Sequence, residues 1–114
     1  MSRLLDDALR SALPKLREQD GSKDPTVFAK FFFPASRWTW FVTEGEPKAD
    51  DFLFYGHVIG FESEWGSFTL RELEEVEVSG LRVERDLYFE PMPFSKCHSQ
   101  PDAGKQETCG WQEV

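Results

Sequence analysis

Apolar residues recur at helical spacing at the start of this chain. Leu5, Ala8, Leu9, Ala12 and Leu13 fall three and four apart and so share one helical face. Ser2 is placed to cap that helix, and Pro14 ends it, because proline lacks an N–H and clashes with the preceding turn. A polar connector follows from Glu18 to Pro25, with turn chemistry at Asp20-Gly21. The pattern then changes to period two. Thr26 to Phe33 is β-branched and aromatic and predicts a strand that Pro34 terminates. Trp38 to Glu44 alternates, with Trp38, Trp40 and Val42 on one face and Arg37, Thr39 and Phe41 on the other. Between them, Pro34-Ala35-Ser36-Arg37 suits a type I turn, which makes the two strands a hairpin. A polar loop from Gly45 to Asp51 carries Pro47. Phe52 to Phe61 reads as a third strand, with Gly56 and Gly60 as candidate bulges.

Helical signals return after a turn near Glu64-Trp65-Gly66. Thr69-Leu70-Arg71-Glu72 is a capping box, in which each end residue satisfies the other's backbone N–H. It predicts a short helix to about Val76, with Leu70, Leu73 and Val76 inward, Glu74, Glu75 and Glu77 outward or at its frayed end, and Gly80 as the stop. Leu81 to Phe89 is compatible with a strand or with a helical turn around Glu84-Arg85-Asp86. From Pro91 onward the composition predicts an irregular tail docked by Phe94 and Trp111. No internal repeat is present. The expected fold class is α+β: a small antiparallel β-meander of three to four strands, with an N-terminal helix and a short capped helix against one face. Residues 1–93 form the domain and residues 94–114 a C-terminal extension.

Composition fits a packed globule. The 114 residues suit one domain, and eleven Phe, four Trp and two Tyr each bring about 150–250 Å² to bury. The opening Met-Ser-Arg-Leu-Leu-Asp-Asp has no apolar run of signal-peptide length, and no stretch approaches a membrane span. A cytoplasmic protein with Cys97 and Cys109 reduced is expected.

Charge changes the picture more. Between Phe41 and Gly80 lie ten acids, Glu44, Glu46, Asp50, Asp51, Glu62, Glu64, Glu72, Glu74, Glu75 and Glu77, opposed only by Lys48 and Arg71. Eleven acids and eleven bases cancel in the rest of the chain, so this segment holds the whole net charge of −8. A field of one sign repels nucleic acid and anionic membrane and steers a basic protein partner.

Lys30-Phe31-Phe32, Pro34 and Trp38-Thr39-Trp40-Phe41 stand close to a KFF.P...WTWY.TE pattern. With Phe54-Tyr55-Gly56, Gly60-Phe61-Glu62, Gly66-Ser67-Phe68, Leu70-Arg71-Glu72-Leu73-Glu74 and Glu84-Arg85-Asp86-Leu87-Tyr88-Phe89, the chain resembles a small bacterial domain family of unknown function met on conjugative plasmids and integrative elements. The resemblance covers roughly Leu13 to Pro93. It implies a bacterial, cytosolic protein associated with mobile DNA and carries over no catalytic or binding residue.

Each candidate chemistry has a plainer reading beside it. Glu62 and Glu64, two apart, would share a face about 6–7 Å apart on an extended segment, a spacing at which carboxylates divide acid and base roles; two solvated glutamates fit as well. Cys97, His98 and Cys109 fall short of the four closely spaced ligands of a structural zinc, so no metal or cofactor is expected. His57 reads as a partly buried strand residue. Trp38, Trp40 and Trp65 form no stacking platform for nucleic acid without a cationic groove, and core packing is the simpler role for Trp38 and Trp40. No nucleophile elbow or phosphate-binding glycine loop is present. The ten acids remain. They either solvate the surface or present a phosphate-like array to a basic groove, since DNA carries one charge per about 1.7 Å. The sequence-level expectation is a non-enzymatic protein-binding module that uses these ten acids to occlude the DNA site of a host defence complex. The alternatives are a mobile-element accessory protein that binds a basic partner without mimicry, and a carboxylate-dependent hydrolase.

Overall fold

The computed structural model describes residues 4–97. Its first helix, α1 (Asp7–Ala12), is capped by Asp6, whose side chain accepts from Leu9 N at 2.9 Å; Ser2 lies outside the described residues. The expected apolar face is carried by its leucines. Leu5, Leu9 and Leu13 are buried together with Leu4, whereas Ala8 and Ala12 are exposed.

The predicted strand from Thr26 to Phe33 divides at Phe28 into β1 (Thr26–Val27) and β2 (Ala29–Phe32). Ser36 N donates to Phe33 O across the proline turn, which leads into β3 (Thr39–Lys48). Two boundaries differ from expectation. The polar residues after Gly45 continue β3 as far as Lys48, leaving only a tight turn at Ala49-Asp50 before β4 (Asp51–Ile59). The next turn is Gly60-Phe61-Glu62, so Glu64, Trp65 and Gly66 lie inside β5 (Ser63–Thr69) rather than in a turn. The helix α2 (Leu70–Glu74) has the complete capping box. Gly80 does not stop it. Ser79 and Gly80 both have positive φ, at 53° and 84°, the signature of a hairpin turn whose twist matches its strands, here joining β6 (Glu77–Val78) to β7 (Leu81–Arg82). The chain continues through β8 (Glu84–Arg85), β9 (Met92–Pro93) and α3 (Phe94–Cys97).

The fold is α+β, built on a five-stranded antiparallel sheet in the order β5-β4-β3-β2-β8. β2 to β5 form the expected meander, and β8 adds a fifth strand beside β2. The two motif segments Lys30-Phe31-Phe32 and Glu84-Arg85-Asp86 are therefore neighbours, with Phe31 opposite Arg85 and Phe32 opposite Glu84. Asp86 N donates to Lys30 O at 2.9 Å, and the buried Lys30 ammonium lies 3.9 Å from the Asp86 carboxylate. The residues that carry the resemblance thus hold the sheet together.

Both faces of the sheet are covered. On the first, Phe31, Trp40, Val42, Phe52, Phe54 and Phe68 pack with the leucines of the N-terminal segment and with Leu73 of α2. On the second, Phe41 is buried with Val27 and Cys97, and Met92, Phe89 and Phe94 pack against them. Period-two alternation puts an aromatic on each face of β3, and a phenylalanine facing away from the main core needs its own cover. The stretch after Pro91, expected to be irregular, provides it: β9 pairs with β1, and Phe94 meets Phe41 edge-on.

One irregularity decides where the acids point. The β3–β4 register shifts between Val42 and Glu44, so Thr43 is a bulge. Without it, Glu44 would share the core face of Trp40 and Val42. The bulge turns Glu44 to the second face opposite Tyr55 and brings Gly45 to the first. Opposite Val42 on β4 is Gly56, where a Cβ would run into the Phe41 carbonyl.

Candidate functional site

The ten acids separate into three groups. Glu44 is only 4% exposed. It accepts from Arg17 N at 2.7 Å and Gln19 N at 2.8 Å, and Glu46 accepts from Leu16 N at 3.2 Å. These two carboxylates hold the 16–19 segment against β3, and Gln19 locks it further through Thr26 and Thr43. They are structural.

The second group sits where the β3–β4 turn meets the start of α2. Asp51 accepts from Phe52 N and Arg71 N at 2.8 and 3.1 Å. Desolvation alone would raise this carboxyl; the two backbone donors and the Arg71 charge outweigh it and hold its pKa below the ordinary aspartate value. Asp50 pairs with Arg71 at 3.2 Å, and Glu72 accepts from Thr69 N at 2.9 Å.

Of the third group, Glu62 and Glu64 lie at the opposite end, and Glu74, Glu75 and Glu77 follow at the end of α2 and in β6. β4 is nine residues long, so its termini lie roughly 25–30 Å apart. Glu62 is in the turn after β4. Glu64 stands on β5 in the row Trp40–Val58–Glu64. Glu62 therefore lies in the turn and Glu64 on the strand, rather than both on one extended segment. α2 runs back over the sheet toward this end, since Val76, just beyond it, joins Trp38 and Trp40 in lining a groove. Glu62 and Glu64 are exposed, the Glu75 charge acts on Arg71, and Glu77 reaches Arg82 at 3.9 Å.

The groove has a volume of about 360 Å³ and is lined by Phe33, Ser36, Trp38, Trp40 and Val76. Here the two tryptophans part. Trp40 is buried, as expected of core, while Trp38 is half-buried and lines the rim. Phe61 meets Trp38 edge-on with ring centroids 5.6 Å apart and is 95% exposed. Pattern reading placed Phe61 at a strand end; its exposure depends on the turn at 60–62, which only the β4–β5 pairing fixes.

The second face has two shallow clefts, of about 270 and 360 Å³, on either side of Glu44 and Tyr55. Trp65 stacks on Tyr55 there, and its ring also meets His57 and Phe94. The deep carboxylate of this region, Glu44, is already committed to two backbone donors. Cys97 is buried with its thiol pushed up to about 12 by desolvation, which leaves it a protonated core residue. His98 and Cys109 lie outside the described residues. Among the described residues no three His, Cys, Asp or Glu side chains group as metal ligands, and no helix is long and apolar enough to cross a membrane.

A family match covers residues 3–100. The chain belongs to the family described as "Protein of unknown function (DUF2958)". The matched region takes in the whole five-stranded sheet. No curated protein and no solved structure matches the chain.

Proposed function

We propose that this protein is a non-enzymatic binding module for a basic protein surface, and that it engages that surface through the Trp38–Phe61 end of its sheet. One observation carries the reading: an apolar groove lined by Trp38, Trp40 and Val76 lies beside a fully presented phenylalanine, with the exposed Glu62 and Glu64 in the adjoining turn and strand. An apolar anchor within a charged surround is the anatomy of a protein interface, in which the anchor supplies affinity and the charges supply rate and orientation. In the setting of conjugative plasmids and integrative elements, a fitting target is a DNA-binding defence complex, a CRISPR effector or a restriction enzyme. The protein would act as a DNA mimic, its carboxylates occupying the Lys/Arg groove that otherwise receives duplex DNA. Glu44 and Glu46 are spent on folding, so the mimicking surface is smaller than the ten acids of the sequence.

The groove also favours a second reading. A phosphate backbone has no counterpart to Phe61, so a mobile-element accessory protein that recognises a basic partner by shape and charge, without mimicry, uses the same surface. Capture from host lysate at low salt, followed by competition with duplex DNA, separates the two. DNA displaces the captured partner if the protein is a mimic and leaves it bound if it is not. Capture unaffected by salt between about 0.05 and 0.5 M contradicts both, because exposed charges are screened over about 8 Å at physiological ionic strength.

A further inference from the structure

The two edges of the central sheet are unequal. β8 is two residues long, the kind of short edge that resists pairing with an outside strand. β5 is seven residues long, about 23 Å at the usual rise, and among the described residues its only ladder is to β4. Ser63, Glu64, Trp65 and Ser67 on it are exposed. Natural edges of this length are usually blunted by lysine, proline or a bulge. Ser63-Glu64-Trp65-Gly66-Ser67-Phe68-Thr69 contains no lysine, arginine or proline, and its register with β4 runs without a shift.

Within the strand the charge is of one sign, while Arg17 and Lys23 line the clefts beside Ser67 and Trp65. No Lys or Arg occurs between Lys48 and Arg71, while Glu62 and Glu64 stand at its start. A second copy is disfavoured as the occupant, because each chain carries a net charge of −8.

We propose that β5 is a strand-addition edge, which takes an extended basic segment of a partner protein as a sixth strand. The proposal rests on the basic-partner reading above and states how that partner is held. Backbone hydrogen bonds along the edge supply sequence-independent affinity, and alternate side chains supply selectivity. On one face an incoming strand lies beside Glu64, favouring Lys or Arg, and beside Gly66, where a Cβ would meet nothing within 4 Å, so a bulky side chain fits. On the other face it lies beside Trp65, 39% exposed and backed by Tyr55, which suits an apolar side chain.

The probe is a fluorescent eight-residue peptide of alternating Lys and Val, which puts all its charge on one face. It is titrated into the full chain and followed by anisotropy and by amide hydrogen exchange. Two controls are the same peptide N-methylated at its four central amides and a Glu–Val peptide. The expected result is binding of Lys–Val, new protection of β5 amides, at least tenfold weaker binding of the N-methylated peptide, and none of Glu–Val. Equal binding of the N-methylated peptide, protection confined to other elements, or no binding of Lys–Val overturns strand addition. β5 protection that instead rises with protein concentration alone, with a dimer in sedimentation, assigns the edge to a second copy and also overturns it. The two proposals fail distinguishably: Lys–Val binding that is lost on N-methylation yet indifferent to salt and to Glu62→Lys with Glu64→Lys leaves the edge standing and refutes the acidic reading.

Discussion

The two ends of the β3–β4 ladder carry the same residue type and use it in opposite ways. At the Ala49-Asp50 turn, Asp51 and Glu72 accept from backbone N–H groups and Asp50 pairs with Arg71, so the charge there closes a turn and starts a helix. At the Gly60-Phe61-Glu62 turn, Glu62 closes the turn only through its backbone carbonyl, which accepts from Gly60 N, the Glu62 and Glu64 side chains are exposed, and the aromatic between the strands faces solvent. A carboxylate already satisfied by backbone donors contributes to the fold, and a partner would have to compete for it. A free carboxylate costs the fold little and is available to a partner. Total acidity therefore overstates the functional surface.

Substitutions separate these roles, and the largest effects belong to the fold. Trp40→Ala removes a buried ring from the main core and should cost about 3–5 kcal/mol, measured by denaturant unfolding. Glu44→Ala strips the acceptor from two backbone donors. At about 1.5–3 kcal/mol for each hydrogen bond to a charged group, the loss should be about 3–6 kcal/mol, with faster hydrogen exchange at Arg17 and Gln19. A loss under about 0.5 kcal/mol would return Glu44 to the free group.

The contrast between Trp40 and Glu44 marks how far the sequence could be read. Trp40 declared itself by local alternation, as Leu5, Leu9 and Leu13 did by helical spacing and Thr69 by its capping box. Glu44 did not, because its donors lie 27 and 25 residues earlier and the bulge that aims it shows only in the pairing with β4. Similar reasons hid the rest. Ser79-Gly80 reads locally as a helix stop as readily as a hairpin turn. The cover over Phe41 comes from residues some fifty positions later. The free edge of β5 exists only because β8 returns to pair with β2. Elements set by neighbouring residues were legible, and roles set by strand order were not.

Smaller effects probe the bound end. Thr69→Ala should cost about 1 kcal/mol through loss of the cap, seen as a lower denaturation midpoint with an unchanged slope. Acid should act on the same class of groups. Asp6, hydrogen-bonded by Leu9 N, Asp24, hydrogen-bonded by Ser95, and Asp51 all titrate below the ordinary aspartate value. The unfolded chain therefore takes up their protons first as pH falls. The stability they confer is complete at neutral pH and is lost as pH drops below about 4, so the denaturation midpoint should stay level above pH 5 and decline below it. The smallest effects on folding belong to the free end. Phe61→Ser, Glu62→Lys and Glu64→Lys should each change stability by no more than about 0.5 kcal/mol while abolishing capture of the basic partner. Loss of stability comparable to Thr69→Ala would make these groups part of the fold.

The most direct test of the division between the two ends is residue-resolved chemical-shift mapping of the full chain with a lysine-rich peptide at low salt. If the free end is the interaction surface, the perturbed amides cluster at residues 60–66 and 74–78, with the Trp38 indole among them, while Asp50, Asp51 and Glu72 stay unmoved. Perturbation centred on the Ala49-Asp50 turn, or spread evenly over all ten acids, contradicts the account.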